Sequence, residues 1–220
     1  MDSNRIKEKV LELGADLVGI ASVNRFAEAP EGFRPIDIYK DAKSVICYAK
    51  RLPTTPLSAQ SPIPYTFVNS FMATVVDNLS IQLSLWLEDM GVGAVLIPSD
   101  DPYEHWDAQR TYGRAILSLR HAGRLAGLGF LGKNNLLINE KYGSMIQLGA
   151  VLVDLEIEPD PLTEGNCPAD CSLCIDNCPV QALDGKTVNQ KLCRPLSNYV
   201  NERGFTIKRC NTCRRVCPLA

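Results

Sequence analysis

The chain has 220 residues, 45% of them hydrophobic, enough for one fairly large domain with its own core and a small second one. Its formal net charge is −2, so no global basic excess is present to hold nucleic acid, and a nucleic-acid partner is not expected. The apolar stretch Phe71 to Leu87 is broken by Asp77, Asn78 and Gln82, and the opening Met1 to Arg5 is polar with no apolar signal core, which together point to a soluble cytoplasmic protein without membrane contact.

In chain order, Asn4 to Leu13 carries Ile6, Val10, Leu11 and Leu13, with Gly14 placed to stop a helix. Asp16 to Ala21 reads as a strand. Ser44 to Ala49 reads as a second, with Cys47 buried in it and apart from the other cysteines. Between them, Phe26 to Asp41 is rich in Pro and Gly and is expected to wrap the surface. Arg51 to Tyr65 holds Pro53, Pro56, Pro62 and Pro64, a density that argues for a long loop of the kind that serves as a lid. Ser70 to Met90 is the strongest helix. Phe71, Val75, Leu79, Gln82, Leu83 and Trp86 recur at helical spacing as its core face, and Gly91 ends it.

Gly93 to Pro98 is a further strand. Residues 99–113 are polar and rich in turn formers, and Arg114 to Ala126 looks helical. Leu136 to Ile138 and Ser144 to Asp154 read as a hairpin joined by Asn139 to Gly143, its second strand apolar enough to be buried on both faces. Helices mixed with partly antiparallel strands give an α+β first domain. Asp154 to Gly165, acidic and with Pro159 and Pro161, is the linker, so the division is 1–160 and 161–220.

Gly127, Gly129 and Gly132 lie in the loop Ala126 to Asn135. The spacing is G-x-G-x-x-G, but the loop joins a helix to a strand, the reverse of a dinucleotide fingerprint, so nicotinamide binding is rejected. By itself the loop reads as a structural turn, or as a place where backbone approaches a ligand closely.

The cysteines follow. The unit C-x2-C-x3-C-P occurs at Cys171 and again at Cys210, the layout of bacterial two-cluster ferredoxins, in which the Cys before Pro ligates the other cluster. That rule assigns Cys167, Cys171, Cys174 and Cys217 to one [4Fe–4S] cluster. The second takes Cys178, Cys193, Cys210 and Cys213. The gap from Cys167 to Cys171 holds three residues where the usual run has two. Two zinc sites are the alternative for the same thiols; an odd cysteine count argues against a disulfide framework. Arg203, Lys208, Arg209, Arg214 and Arg215 surround the second group, either as a solvated face or as a docking face for an acidic electron donor.

The glycine loop, Leu136-Leu137-Ile138, Tyr142-Gly143-Ser144, the cysteine array and the opening Leu13 to Ala21 resemble the epoxyqueuosine reductase superfamily, with corrinoid reductive dehalogenases as more distant relatives. The chain looks like a short paralogue of that group. The resemblance implies a nitroreductase-like, cobalamin-binding first domain followed by a ferredoxin-like two-cluster module. It implies electron relay through the clusters to a corrinoid, with Gly127, Gly129, Gly132, Lys133 and Asn134 against the corrin. Flavin mononucleotide (FMN) is the lesser alternative, with no phosphate site to support it.

Two departures bear on the substrate. The family's aspartate, the apparent proton donor to an opening epoxide, corresponds by ungapped counting to Gly113. The chain also ends at Ala220, short of the family's longer C-terminal part, and with it much of the surface expected to hold tRNA. His121, Tyr112, Asp107 and His105 are the remaining candidate proton donors, His121 through a titration near neutral pH. The expected function is reduction of a small organic substrate other than epoxyqueuosine, with a flavodoxin- or ferredoxin-type protein as electron donor. An electron carrier, or a corrinoid-reactivating protein without substrate chemistry, is the alternative.

Overall fold

The computed structural model describes residues 2–219; Met1 and Ala220, the outer ends of the two expected domains, lie outside the described residues. Helix α1, Ser3–Glu12, buries Ile6 and Val10 and stops at Gly14, whose φ of +104° suits glycine. Strand β1, Leu17–Ser22, follows. A short 3-10 turn, Val23–Phe26, and helix α2, Pro35–Ile38, interrupt the surface segment before β2, Ser44–Arg51.

Helix α3 runs from Ile63 to Asp89, so it begins earlier than Ser70. Pro64 sits in its first turn, where a missing N–H removes no helical hydrogen bond. Counting prolines as breakers therefore overextended the loop. The core face is also rotated from the expected one. Val76, Leu79, Leu83 and Leu87 are buried, whereas Phe71 is 53% exposed and stacks on Phe67 with ring centroids 5.5 Å apart.

Strand β3, Ala94–Ile97, is followed by a hairpin that turn-rich composition concealed: β4, His105–Asp107, pairs with β5, Tyr112–Arg114. Helix α4, Leu119–Leu125, is shorter than the expected 114–126 because β5 takes its first residues. Then come β6, Phe130–Leu131, β7, Leu137–Ile138, and β8, Ile146–Val153. The Asn139 to Gly143 turn closes as expected, through Asn139 N–H to the Gly143 carbonyl at 2.9 Å and the reverse bond at 2.8 Å. Its strands do not pair with each other. β7 pairs with β6, and β8 is flanked on both edges by β2 and β3.

The main sheet has the order β1-β2-β8-β3, antiparallel throughout. Alternation along its central strands serves two cores. Val45, Cys47, Ala49, Ala150 and Leu152 pack with α4 on one face. Ile46, Tyr48, Val151 and Val153 pack with α1 and α3 on the other. Each fully buried Leu or Ile contributes about 1.5–3 kcal/mol. Among the described residues, no helix is long and apolar enough to cross a membrane.

The cysteine-rich segment has little core and repeats one small shape. Helix α5, Leu173–Asp176, helix α6, Gln190–Ser197, strands β9, Tyr199–Val200, and β10, Thr206–Ile207, and helix α7, Thr212–Arg215, follow in order. In α5, the N–H groups of Ile175 and Asp176 donate to the Ser172 carbonyl. In α7, those of Arg214 and Arg215 donate to Asn211 in the same way. The repeated sequence unit is thus a repeated backbone turn.

Candidate metal centre

Each C-x2-C unit places its middle cysteine inside a one-turn helix, Cys174 in α5 and Cys213 in α7. The two helices pack together, which brings the far-end cysteine of each unit toward the other. Cys167, Cys171, Cys174 and Cys217 line one pocket. Cys174 feels the charges of Cys167, Cys217 and Cys171. Cys193 feels Cys210 and Cys178, and Cys213 feels Cys210 and Cys193. Cys217, from the far end of the chain, thus lies with Cys167, Cys171 and Cys174. Cys213 also feels Cys174, so the groups adjoin.

The thiols of each group are neighbours without closing on one point. Among the described residues, no three His, Cys, Asp or Glu are placed to hold a single metal ion. A cubane takes such a wider arrangement, because each thiolate binds a different corner iron. Backbone N–H groups point at two of the sulfurs, Lys133 at Cys167 Sγ (3.3 Å) and Ala182 at Cys178 Sγ (3.2 Å). An all-thiol donor set of this kind fits iron–sulfur ligation. Burial pushes the thiols of Cys174, Cys193 and Cys217 up, and that of Cys213 up to about 11, so iron must displace protons on binding.

The glycine loop meets this centre through Lys133 and Asn134. A Cβ on Gly127 would lie 2.3 Å from the Pro161 carbonyl oxygen, and one on Gly129 would lie 2.1 Å from that of Ile138. A Cβ on Gly132 would meet the Ile138 side chain at 2.4 Å. Protein atoms fill the direction in which a side chain would point, so these glycines hold the linker and β7 close. Lys133 and Asn134 reach the cysteines instead. The Lys133 ammonium donates to the carbonyls of Ala169 and Cys171, both at 2.8 Å, and Asn134 Nδ2 donates to the Cys213 carbonyl at 3.3 Å.

Two residues of the basic run and two at the start of α3 complete the contact. Arg214 Nη1 donates to the Ser144 carbonyl, and Tyr65, buried in α3, stands beside Arg214, Cys213 and Cys210. The Lys208 N–H donates to Thr66 Oγ1 at 2.9 Å, and its ammonium to Asn198 Oδ1 at 2.9 Å. The basic run thus divides. Lys208 and Arg214 are half-buried structural groups, while Arg203, Arg209 and Arg215 are exposed.

Three of the four expected proton donors share the β4–β5 hairpin, where Asp107 and Tyr112 are cross-strand partners, and His121 lies apart on α4. His105 packs beside Phe33 with centroids 5.1 Å apart, and Asp107 Oδ1 accepts from the Arg110 N–H at 3.0 Å. Tyr112 is 38% exposed. His121 Nδ1 is hydrogen-bonded to Ser118 Oγ at 2.7 Å. Desolvation, with the charges of Arg120 and Arg124, pushes His121 below the ordinary histidine value, so the expected titration near neutral pH is shifted downward. Gly113 binds Gln190 of α6, and a Cβ there would meet Arg194 Nη2 at 3.0 Å.

No family model matches the chain. The epoxyqueuosine reductase of Staphylococcus aureus is 37% identical over 113 residues, covering 47% of this chain and 30% of that protein. The one from Bacillus anthracis is 26% identical over an alignment covering 99% of this chain and 65% of its own length. The chain thus spans less than two thirds of the length of these curated relatives. Among solved structures, an epoxyqueuosine reductase with an epoxyqueuosine-modified tRNA stem loop superposes with a TM-score of 0.70 at 19% identity, over 98% of this chain and 64% of that one. A reductive dehalogenase described in terms of B12-dependent dehalogenation gives a TM-score of 0.70 at 20% identity, over 97% and 31%. The tRNA-bound structure overturns the expectation against a nucleic-acid partner. Net charge averages over a whole surface, whereas RNA is held by local contacts, and a near-neutral total does not exclude them.

Proposed function

We propose, for a chain that belongs to the epoxyqueuosine reductase superfamily of iron–sulfur oxidoreductases, that residues 161–220 hold two [4Fe–4S] clusters and deliver single electrons to a cofactor and substrate domain formed by residues 1–160. The observation that carries this reading is the interleaved grouping of eight thiols, with Cys217 joining the first unit and Cys178 the second. Bound clusters supply one-electron chemistry at low potential. The chain's own residues aim N–H groups at Cys167 and Cys178, and join the second group to α3 through Tyr65, to the Ser144 turn through Arg214 and to the glycine loop through Asn134.

A corrinoid is the acceptor suggested by the B12-dependent neighbour, in a nitroreductase-like first domain. At Gly127, Gly129 and Gly132 the Cβ direction is already taken by protein atoms, so no step is derived through a corrinoid. The substrate is a small reducible organic group, free or borne on RNA, reduced with electrons from a flavodoxin- or ferredoxin-type donor. Epoxyqueuosine itself is disfavoured because Gly113 corresponds, by ungapped counting from the glycine loop, to the family's aspartate. That same residue favours the second reading, an electron carrier without substrate chemistry.

Native mass spectrometry of protein purified without oxygen from cobalamin-supplied, flavin-making cells tests the proposal. Two cubanes with a corrinoid support the reductase, and two cubanes with an empty first domain support the carrier. Zinc, or no metal, overturns both. Cys213→Ala is expected to lose the second cluster; unchanged iron and unchanged reduction kinetics would remove Cys213 from the ligands.

A further inference from the structure

Lys133 touches the first cysteine group in two ways. Its N–H points at Cys167 Sγ, 3.3 Å away. Its ammonium donates to the carbonyls of Pro168 (3.3 Å), Ala169 (2.8 Å) and Cys171 (2.8 Å). Those carbonyls belong to the segment between Cys167 and Cys171, which is one residue longer than the usual ferredoxin gap. A longer loop has more conformations to lose when it wraps a cluster. One cation shared by three carbonyls fixes its path.

Lys133 is itself held. The Asn135 N–H donates to the Gly132 carbonyl at 2.8 Å, the Gly132 N–H to the Leu136 carbonyl at 2.9 Å, and Asn134 Oδ1 accepts from the Leu136 N–H at 3.1 Å. Among the described residues no carboxylate pairs with the Lys133 ammonium. Its charge is therefore left to act on what lies next to it.

We propose that Lys133 is a positioning residue for the first cluster, fixing the 167–171 segment and raising that cluster's reduction potential relative to the second. The inference rests on the cluster reading above. A thiolate-ligated cubane becomes more negative on reduction, so a nearby cation and an N–H···S bond both favour the reduced state. The glycine loop then acts on the electron path from the first domain's side.

The test uses anaerobically purified wild type, Lys133→Gln and Lys133→Arg, with iron and sulfide assays and redox titration followed by electron paramagnetic resonance. Lys133→Gln keeps the backbone N–H and removes the charge. One midpoint is expected to move to lower potential while the other stays, and Lys133→Arg is expected to restore most of the shift. Iron affinity at the first site is expected to weaken by about tenfold or more in a chelator challenge. Selective loss of one cluster in Lys133→Gln, with the second intact, also supports the role. Loss of both clusters together, or two unmoved midpoints with full iron, overturns it and leaves the cluster reading standing. A wild type without clusters overturns both.

Discussion

Gln190 holds Gly113 by both of its backbone groups: the Gly113 N–H donates to Gln190 Oε1 at 3.1 Å, and Gln190 Nε2 donates to the Gly113 carbonyl at 3.2 Å. Gln190 Oε1 also accepts from Arg194 Nε at 2.8 Å, and the Arg194 guanidinium lies 5.2 Å from the Tyr103 ring and 5.1 Å from that of Trp106. The β4–β5 hairpin is thereby latched to α6, the helix that carries Cys193.

This latch decides what an acid at position 113 would do. A Cβ there would sit 3.0 Å from Arg194 Nη2 and 3.2 Å from the Tyr103 ring, both flexible side chains able to give. The carboxylate of Gly113→Asp would arrive beside a guanidinium, which holds a carboxyl ionised. The variant is expected to fold, to titrate below the ordinary aspartate value by NMR, and to gain no epoxide reduction. A gain in turnover would mean that the hairpin releases α6 during the reaction.

The glycine loop gives a stability prediction. Gly129 has a φ of +155°, and a Cβ there would lie 2.1 Å from the Ile138 carbonyl oxygen. Backbone has to move, since that oxygen is not the end of a flexible side chain. Gly129→Ala is expected to destabilise by about 1–3 kcal/mol. Gly14→Ala, at a φ of +104° with nothing within 4 Å, carries only the conformational strain and is expected to cost less. Urea unfolding of both variants ranks them; equal midpoints would remove the packing argument.

The register of α3 is testable in the same way. Leu83 is fully buried against the sheet, whereas Phe71 is 53% exposed. Leu83→Ala is expected to cost about 2–5 kcal/mol. Phe71→Ala is expected to fall within about 0.5 kcal/mol of wild type, as exposed substitutions usually do. A large loss at Phe71 would show that its stack on Phe67 is covered in solution.

These cases mark how far the sequence could be read. The repeat at Cys171 and Cys210 was legible because metal chemistry fixes ligand type and spacing, and each copy folds into the same backbone turn. The strands Ser44–Arg51 and Ile146–Val153 were legible because both lie inside the sheet and must be apolar. Periodicity failed on α3. Its apolar residues run nearly all round, so Phe71 and Val76 compete for the core face and only the packing against β8 and β3 chooses. Tyr65 and Gln190 carried no signal, since each acts through a partner distant in sequence.

His121 yields a prediction of opposite sign to a proton donor's. Desolvation and the charges of Arg120 and Arg124 hold its folded-state value below 6.5, the ordinary histidine value. The neutral ring is the folded form, hydrogen-bonded at Nδ1 to Ser118. Its contribution to stability is fully present above about pH 6.5 and is lost as pH falls from there through the lower folded value. NMR titration is expected to give a midpoint below 6.5, and His121→Asn is expected to flatten the stability profile just below that pH. If reduction nevertheless rises with acidity along this same midpoint, His121 does donate a proton. A rate that is flat across it assigns that step to Tyr112, Asp107, His105 or water.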